Sequence, residues 1–181
     1  MSDPTMFDTE IIDRDRVESS AVISGDGVYR YQLHRRWADG NTALWIMLNP
    51  STADAHVDDP TIRRCVSFSN REGCGALTVV NLYALRATNP KELLTHPDPC
   101  GPLNWLNIEQ CLNDPANGVI IAAWGSWKGQ RSYARTPADG FRGQNGPLAN
   151  RNVKCLGVTS RGYPRHPLYV RADQPLVAWP S

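Results

Sequence analysis

The sequence predicts an α/β fold: three α/β/α layers around a mainly parallel four-stranded central sheet, preceded by an N-terminal β-hairpin. Three observations predict it. Four apolar runs, 43–48 (ALWIML), 76–83 (ALTVVNLY), 118–124 (GVIIAAW) and 153–158 (VKCLGV), are nearly continuous rather than alternating, the pattern of strands buried on both faces. Stretches with helical start and stop signals separate them, as crossover connections between parallel strands require. Every run also ends in polar, glycine or basic residues, which a strand serving only as core does not need.

Taken in order, residues 21–32 (AVISGDGVYRYQ) place two short β-like runs around Gly-Asp-Gly, a hairpin signal. Residues 1–20 read as an arm, and 21–181 as one domain, a length sufficient to bury a core. After the first buried strand, Asp59-Pro60 reads as an N-cap followed by a first-turn proline. The helix it opens runs to about Arg71, with Ile62, Cys65, Val66 and Ser69 facing inward, and Gly73-Cys74-Gly75 ends it. Residues 104–113 form a second helix. Residues 140–147 are too rich in glycine and polar groups to be regular, and 148–152 read as the end of a further helix.

Composition narrows the function. No window is long and apolar enough to span a membrane, and the acidic N-terminus lacks the apolar stretch of a secretory signal, so a cytoplasmic location is expected. The five scattered cysteines (Cys65, Cys74, Cys100, Cys111, Cys155) contain no C-x-x-C pair, so neither a disulfide framework nor a metal site is predicted, and no cofactor is expected. The net charge of +1 conceals an asymmetry: residues 1–60 carry eleven acids against five Lys/Arg, and residues 124–171 carry nine Lys/Arg against Asp139 alone. Sixteen of the nineteen cations are arginine, the side chain suited to bidentate phosphate contact. Nucleic acid or a nucleotide-like ligand is the expected partner; no protein partner is evident.

In parallel sheets ligands sit outside the carboxyl ends of the strands. The residues there are Asn49, Ser51 and Thr52 after the first buried strand, Asn81 and Arg86 at and after the second, Trp127 after the third, and Arg161, Arg165 and His166 after the fourth. Asn49 precedes a proline, which biases it to an extended conformation, and its amide can orient a water or a ligand edge; an Asx turn closing the strand is the competing role. Asn81 interrupts an apolar run, where an unpartnered amide costs roughly 1–3 kcal/mol, so it either reads a ligand or ties down a neighbouring loop. His166 alone of the four histidines follows a core strand within the basic tract, and cationic neighbours should hold it neutral. Trp127 can stack on a base or form a pocket wall. Asp59 is accounted for by capping. Phosphate-binding glycine loops, nucleophile elbows and paired catalytic carboxylates are absent from the sequence.

In order, MLNPSTADAHVDDPTIRRC, VVNLYALRATNP, AAWG and PRHPLYV resemble the hallmarks of an uncharacterised bacterial and phage family of domains of unknown function, number sixteen forty-three, over about residues 31–170. The same four motifs distantly resemble the uracil-DNA glycosylase superfamily. There, Met47-Leu48-Asn49-Pro50-Ser51 is similar to a Gly-Ile-Asn-Pro-Gly motif whose Asn positions the hydrolytic water, a role that falls on Asn49. Asn81 is similar to an Asn that reads the base edge, and His166-Pro167-Leu168 to a His-Pro-Ser motif whose His stabilises charge on the departing base. Met47 stands where those proteins have glycine, and Leu168 where they have serine.

The resemblance implies a hydrolase of the N-glycosidic bond of a modified or damaged base in nucleic acid. Asn49 and His166 would be catalytic, and Ser51, Thr52, Asn81, Arg86, Trp127, Arg161 and Arg165 would bind substrate. The alternatives are a non-catalytic nucleobase, nucleotide or nucleic-acid binding protein, and an enzyme acting on a free nucleoside-like small molecule.

Overall fold

The computed structural model describes residues 18–51, 53, 56–126 and 146–179. Seven strands form one mixed sheet: β1 Glu18–Ile23, β2 Arg30–Arg36, β3 Thr42–Met47, β4 Ala76–Asn81, β5 Asn117–Ala122, β6 Val153–Cys155 and β7 Val177–Ala178, in the order β1-β2-β4-β3-β5-β6-β7. β4, β3, β5 and β6 run parallel to their neighbours, whereas β1 with β2, β2 with β4, and β6 with β7 are antiparallel.

This corrects the expected architecture. The sheet is neither four-stranded nor mainly parallel, and strand outweighs helix. The described residues contain two α-helices, α1 Pro60–Arg71 and α2 Asn104–Leu112, so each sheet face carries one helix rather than a helical layer. The physical reason lies in β2, RYQLHRR. Its polar composition reads as half of a detached hairpin, yet Tyr31 and Leu33 are buried, Leu33 pairs with Val79, and the hairpin is thereby fused to β4. Arg35, also buried, is accommodated by an ion pair 2.8 Å long to Asp58. Glu18–Ser20, read from the sequence as part of a loose or edge-packed arm, are the first rungs of the edge strand β1, opposite Arg36, Arg35 and His34.

The buried strands form because their apolar runs have two faces to cover. Alternate β3 residues divide between two cores. Leu44 and Ile46 join Val80 and Ala122 beneath α2, with Ile108, Cys111 and Leu112. Ala43, Trp45 and Met47 join Leu77, Val79 and Ile121 beneath α1, with Ile62, Cys65 and Phe68. α1 begins where Asp59 Oδ1 accepts the Ile62 N–H at 2.9 Å, with Pro60 in its first turn. Phe68 takes the inward place expected of Val66, which is half-buried. α2 spans the expected segment, while residues 147–150 form a turn rather than a helix end. The stretch 140–147 lies outside the described residues up to 145. All five cysteines are free, and burial raises their thiol pKa values, Cys111 to about 11. No helix among the described residues is long and apolar enough to cross a membrane.

Gly75 joins α1 to β4 where the backbone of residues 38–39 crosses it: an added Cβ would lie 2.4 Å from the Ala38 and Asp39 carbonyl oxygens. Gly75→Ala should therefore destabilise the protein by about 1–3 kcal/mol or more, as overpacking against backbone does. Urea denaturation checks this, with a lowered midpoint and an unchanged slope expected.

Candidate functional site at the strand ends

β3 and β4 end level with each other, Met47 opposite Asn81, and the ladder continues into the loops as Leu82 and Tyr83 N–H groups donate to the Met47 and Leu48 carbonyls. This register sets the Asn49 and Asn81 side chains at one end of the sheet. The connection after β6 returns across the same end, where Gly125 N–H donates to the Pro164 carbonyl at 2.9 Å. A cavity of about 470 Å³ opens there, within the range of about 300–1,000 Å³ usual for small-ligand pockets. Met47, Leu48, Val79 and Trp124 give it apolar wall, and Asn49, Ser51, Asn81, Arg165 and His166 give it polar groups.

The three groups expected to act together therefore share one cavity, each held differently. The Asn49 amide donates to the Pro50 carbonyl at 2.9 Å and the Ala87 carbonyl at 2.8 Å. Both of its protons are committed, so its oxygen is the group left to accept. This is more than a local Asx turn, because Ala87 belongs to the segment after β4. Asn81 is 1% exposed, and its amide nitrogen is buried without a hydrogen-bond partner. The loop-tying role falls to its backbone, whose carbonyl accepts from Asn104 Nδ2 at 2.9 Å, which leaves the side chain for the cavity. Such a buried amide costs on the order of 1–3 kcal/mol until something pairs with it.

His166 caps the short 3-10 helix Pro167–Tyr169, with Nδ1 accepting the Leu168 N–H at 3.3 Å. The neutral ring therefore carries its proton on Nε2, as a donor. Burial pushes its pKa down to about 4, against the opposing pull of Asp59. Desolvation, rather than the cationic neighbours the sequence suggested, is what keeps the imidazole neutral. Gly125 makes room for it: at φ +74° it adopts the left-handed conformation, and an added Cβ would lie 3.2 Å from His166 Cβ.

The helix α1 fixes this segment through the half-buried Arg64 and the exposed Arg71. Arg64 donates to the Pro167 carbonyl at 3.3 Å and the Val170 carbonyl at 2.6 Å, and Arg71 reaches the Ala172 and Gln174 carbonyls. Both guanidinium groups also lie over the Phe68 ring, at 4.9 and 4.8 Å from its centroid.

Arg165 lines the cavity and donates to the Val158 carbonyl at 3.2 Å. Two expected residues do not line it. Arg86 turns away to the hairpin, donating to the Gly27 carbonyl at 3.2 Å, and Arg161 is exposed and not part of the lining. Thr52 and Trp127 lie outside the described residues, as do Lys128, Arg131, Arg135 and Arg142 of the basic tract. Ser126, which the sequence places at the end of the third buried strand, lines the cavity, whereas sequence reasoning missed Arg30, Thr159 and Tyr169, which also line it. Arg30 is a buried β2 residue whose Nη1 donates to the Ala53 carbonyl, and no local pattern signals that reach. Asp59 was visible as a cap, but not as a cavity residue whose second oxygen accepts from Ser51 Oγ.

Among the described residues no group of three His, Cys, Asp or Glu side chains could hold a metal ion. The site is thus a half-apolar pocket with convergent amide, imidazole, hydroxyl and carboxylate groups at the carboxyl ends of parallel strands. The chain belongs to the family described as Protein of unknown function (DUF1643), whose model matches residues 30–168. No curated protein and no solved structure matches the chain significantly.

Two predictions follow from this support. Because the native His166 pKa lies below the ordinary value of about 6.5, the unfolded chain binds the extra proton between about pH 6.5 and 4. Stability should fall on acidification through that window, less steeply in His166→Gln; thermal melting against pH measures the difference. Arg64→Ala should free the His166 segment, lowering stability by about 1–2 kcal/mol and accelerating hydrogen exchange at residues 166–170, with the β3–β4 amides unchanged.

Proposed function

We propose that this cavity binds a nucleobase-like heterocycle and that the protein hydrolyses its N-glycosidic bond, the base being a modified or damaged one in nucleic acid. The observation that carries the reading is the convergence of an acceptor oxygen, an unpartnered buried amide and a neutral imidazole donor on one half-apolar cavity. The distant likeness of the motifs around Asn49, Asn81 and His166 to uracil-DNA glycosylases supports it.

In this reading the ring lies against the apolar wall and Asn81 hydrogen-bonds its edge, repaying the amide's desolvation. Asn49, its NH₂ tied to backbone, offers its oxygen to a water and aims that water at the anomeric carbon. His166 Nε2–H donates to a ring carbonyl oxygen as negative charge develops there. A neutral donor fixed before charge appears stabilises the transition state without reorganisation. Arg165, exposed and lining the cavity, meets phosphate or sugar oxygens, and the exposed Arg161 four residues earlier extends that contact.

A second reading, hydrolysis or binding of a free nucleoside-like compound, is favoured by one observation. Among the described residues only Arg30 and Arg165 bring cationic groups to the cavity lining, which suits a compact ligand better than a polymer. The deciding experiment measures base release from duplexes and single strands carrying uracil or other altered bases, and from the corresponding free nucleosides. Release is expected from at least one, falling about 10²–10³-fold in Asn49→Ala and in His166→Ala. Binding of the base without release from any substrate would leave a binding protein and overturn the hydrolytic reading.

A further inference from the structure

A carboxamide can orient water but cannot take its proton. Hydrolysis at this site therefore requires a base that the three convergent groups do not supply. His166 is unsuited: Nδ1 is occupied by the Leu168 N–H, and Nε2 carries the proton that makes it a donor. Among the described residues lining the cavity, Asp59 is the sole carboxylate.

The geometry around Asp59 is specific. Its Oδ1 caps α1 by accepting the Ile62 N–H at 2.9 Å, and its Oδ2 accepts the hydroxyl proton of Ser51. Ser51 has one proton, and it is committed to Asp59; its oxygen can only accept from the cavity side. Asn49, two residues earlier on the same strand exit, is in the same condition, with both amide protons on backbone carbonyls. Two acceptor oxygens lining one cavity, one of them backed by a carboxylate, are matched to the two protons of a single water.

We propose, building on the hydrolytic reading above, that Asp59 accepts the proton of the attacking water through the hydroxyl of Ser51. The water oxygen bonds to the anomeric carbon as the carbon–nitrogen bond breaks, and that bond's electron pair leaves with the base. One water proton passes to Ser51 Oγ while the proton already on Ser51 passes to Asp59 Oδ2. The other water proton stays on the new sugar hydroxyl, hydrogen-bonded to Asn49. His166 keeps its proton throughout. The released base anion is protonated from solvent, and Asp59 returns its proton to solvent. Ser51 is the residue that touches the water; Asp59 acts through it as a positioning and proton-accepting residue.

Asp59→Asn separates this role from capping. Its side-chain oxygen still accepts the Ile62 N–H, but the group facing Ser51 becomes an amide NH₂, which donates and cannot take a proton. With the best substrate found in the base-release experiment, single-turnover release should fall about 10²–10⁴-fold. The dissociation constant for that same oligonucleotide or nucleoside, and the melting midpoint, should be unchanged; a merely structural role would move those two instead. Ser51→Ala, which leaves the cap intact, should lose rate on the same scale. The double variant should be no slower than either single one, because the two residues form one relay. Wild-type-like release in Asp59→Asn or Ser51→Ala, or multiplicative losses in the double variant, would overturn the relay while leaving the hydrolytic reading in place. Absence of release by the wild-type protein from every substrate overturns both.

Discussion

The site depends on the register of one parallel pair. β3 and β4 end together, Met47 opposite Asn81, and their ladder runs on through Leu82 and Tyr83 into the carbonyls that precede Asn49. A slip of one residue would turn every side chain to the opposite face and carry Asn81 from the cavity to the other side of the sheet. The register is held because both faces of β3 are buried in separate cores, with Leu44 and Ile46 on one side and Trp45 and Met47 on the other. A slip would force Trp45 into space shaped for Leu44 or Ile46, against the close packing of both cores. The apolar cores thus position two carboxamides, one tied to two backbone carbonyls and the other left at a cost.

The third group is positioned by different means. His166 lies in a loop, and its support comes from the outside of α1, where Arg64 takes one carbonyl in the short 3-10 helix and one just past it. Gly125 removes the Cβ that would push the imidazole away. The same helix supplies Asp59 at its N-cap. One helix therefore fixes both ends of the cavity, its N-cap serving the Ser51–Asp59 end and Arg64 the imidazole end. Arg64, the second of the two arginines that follow Asp-Asp-Pro in the sequence, finds its reason here, in backbone carbonyls rather than phosphates.

Much of this was legible in the sequence, and the exceptions share a cause. The buried strands, α1 with its cap, and α2 announced themselves because apolar runs and capping residues are local signals. Asn49, Asn81 and His166 stood out because each is a polar group where a core strand ends or is interrupted. The misread parts were set by distant partners. β2 looks like part of a polar hairpin until Leu33 meets Val79 and Arg35 meets Asp58, and β7 is only two residues long. Arg86 followed the right strand but turns to Gly27, and Arg30, from the hairpin, reaches the cavity instead. Asp59 was explained by capping, and that local explanation concealed its second oxygen.

The central claim is that the unpartnered Asn81 amide and the His166 imidazole face the same ligand. Side-chain amide and imidazole resonances of ¹⁵N-labelled protein, followed during titration with a panel of free nucleobases, test it directly. At least one base should shift the Asn81 NH₂ and His166 signals together, along one saturable curve, while the Asn49 NH₂ moves little because its protons stay on backbone carbonyls. If no base perturbs Asn81, or if Asn81 and His166 respond with different affinities, the two groups do not read one ligand and the account fails.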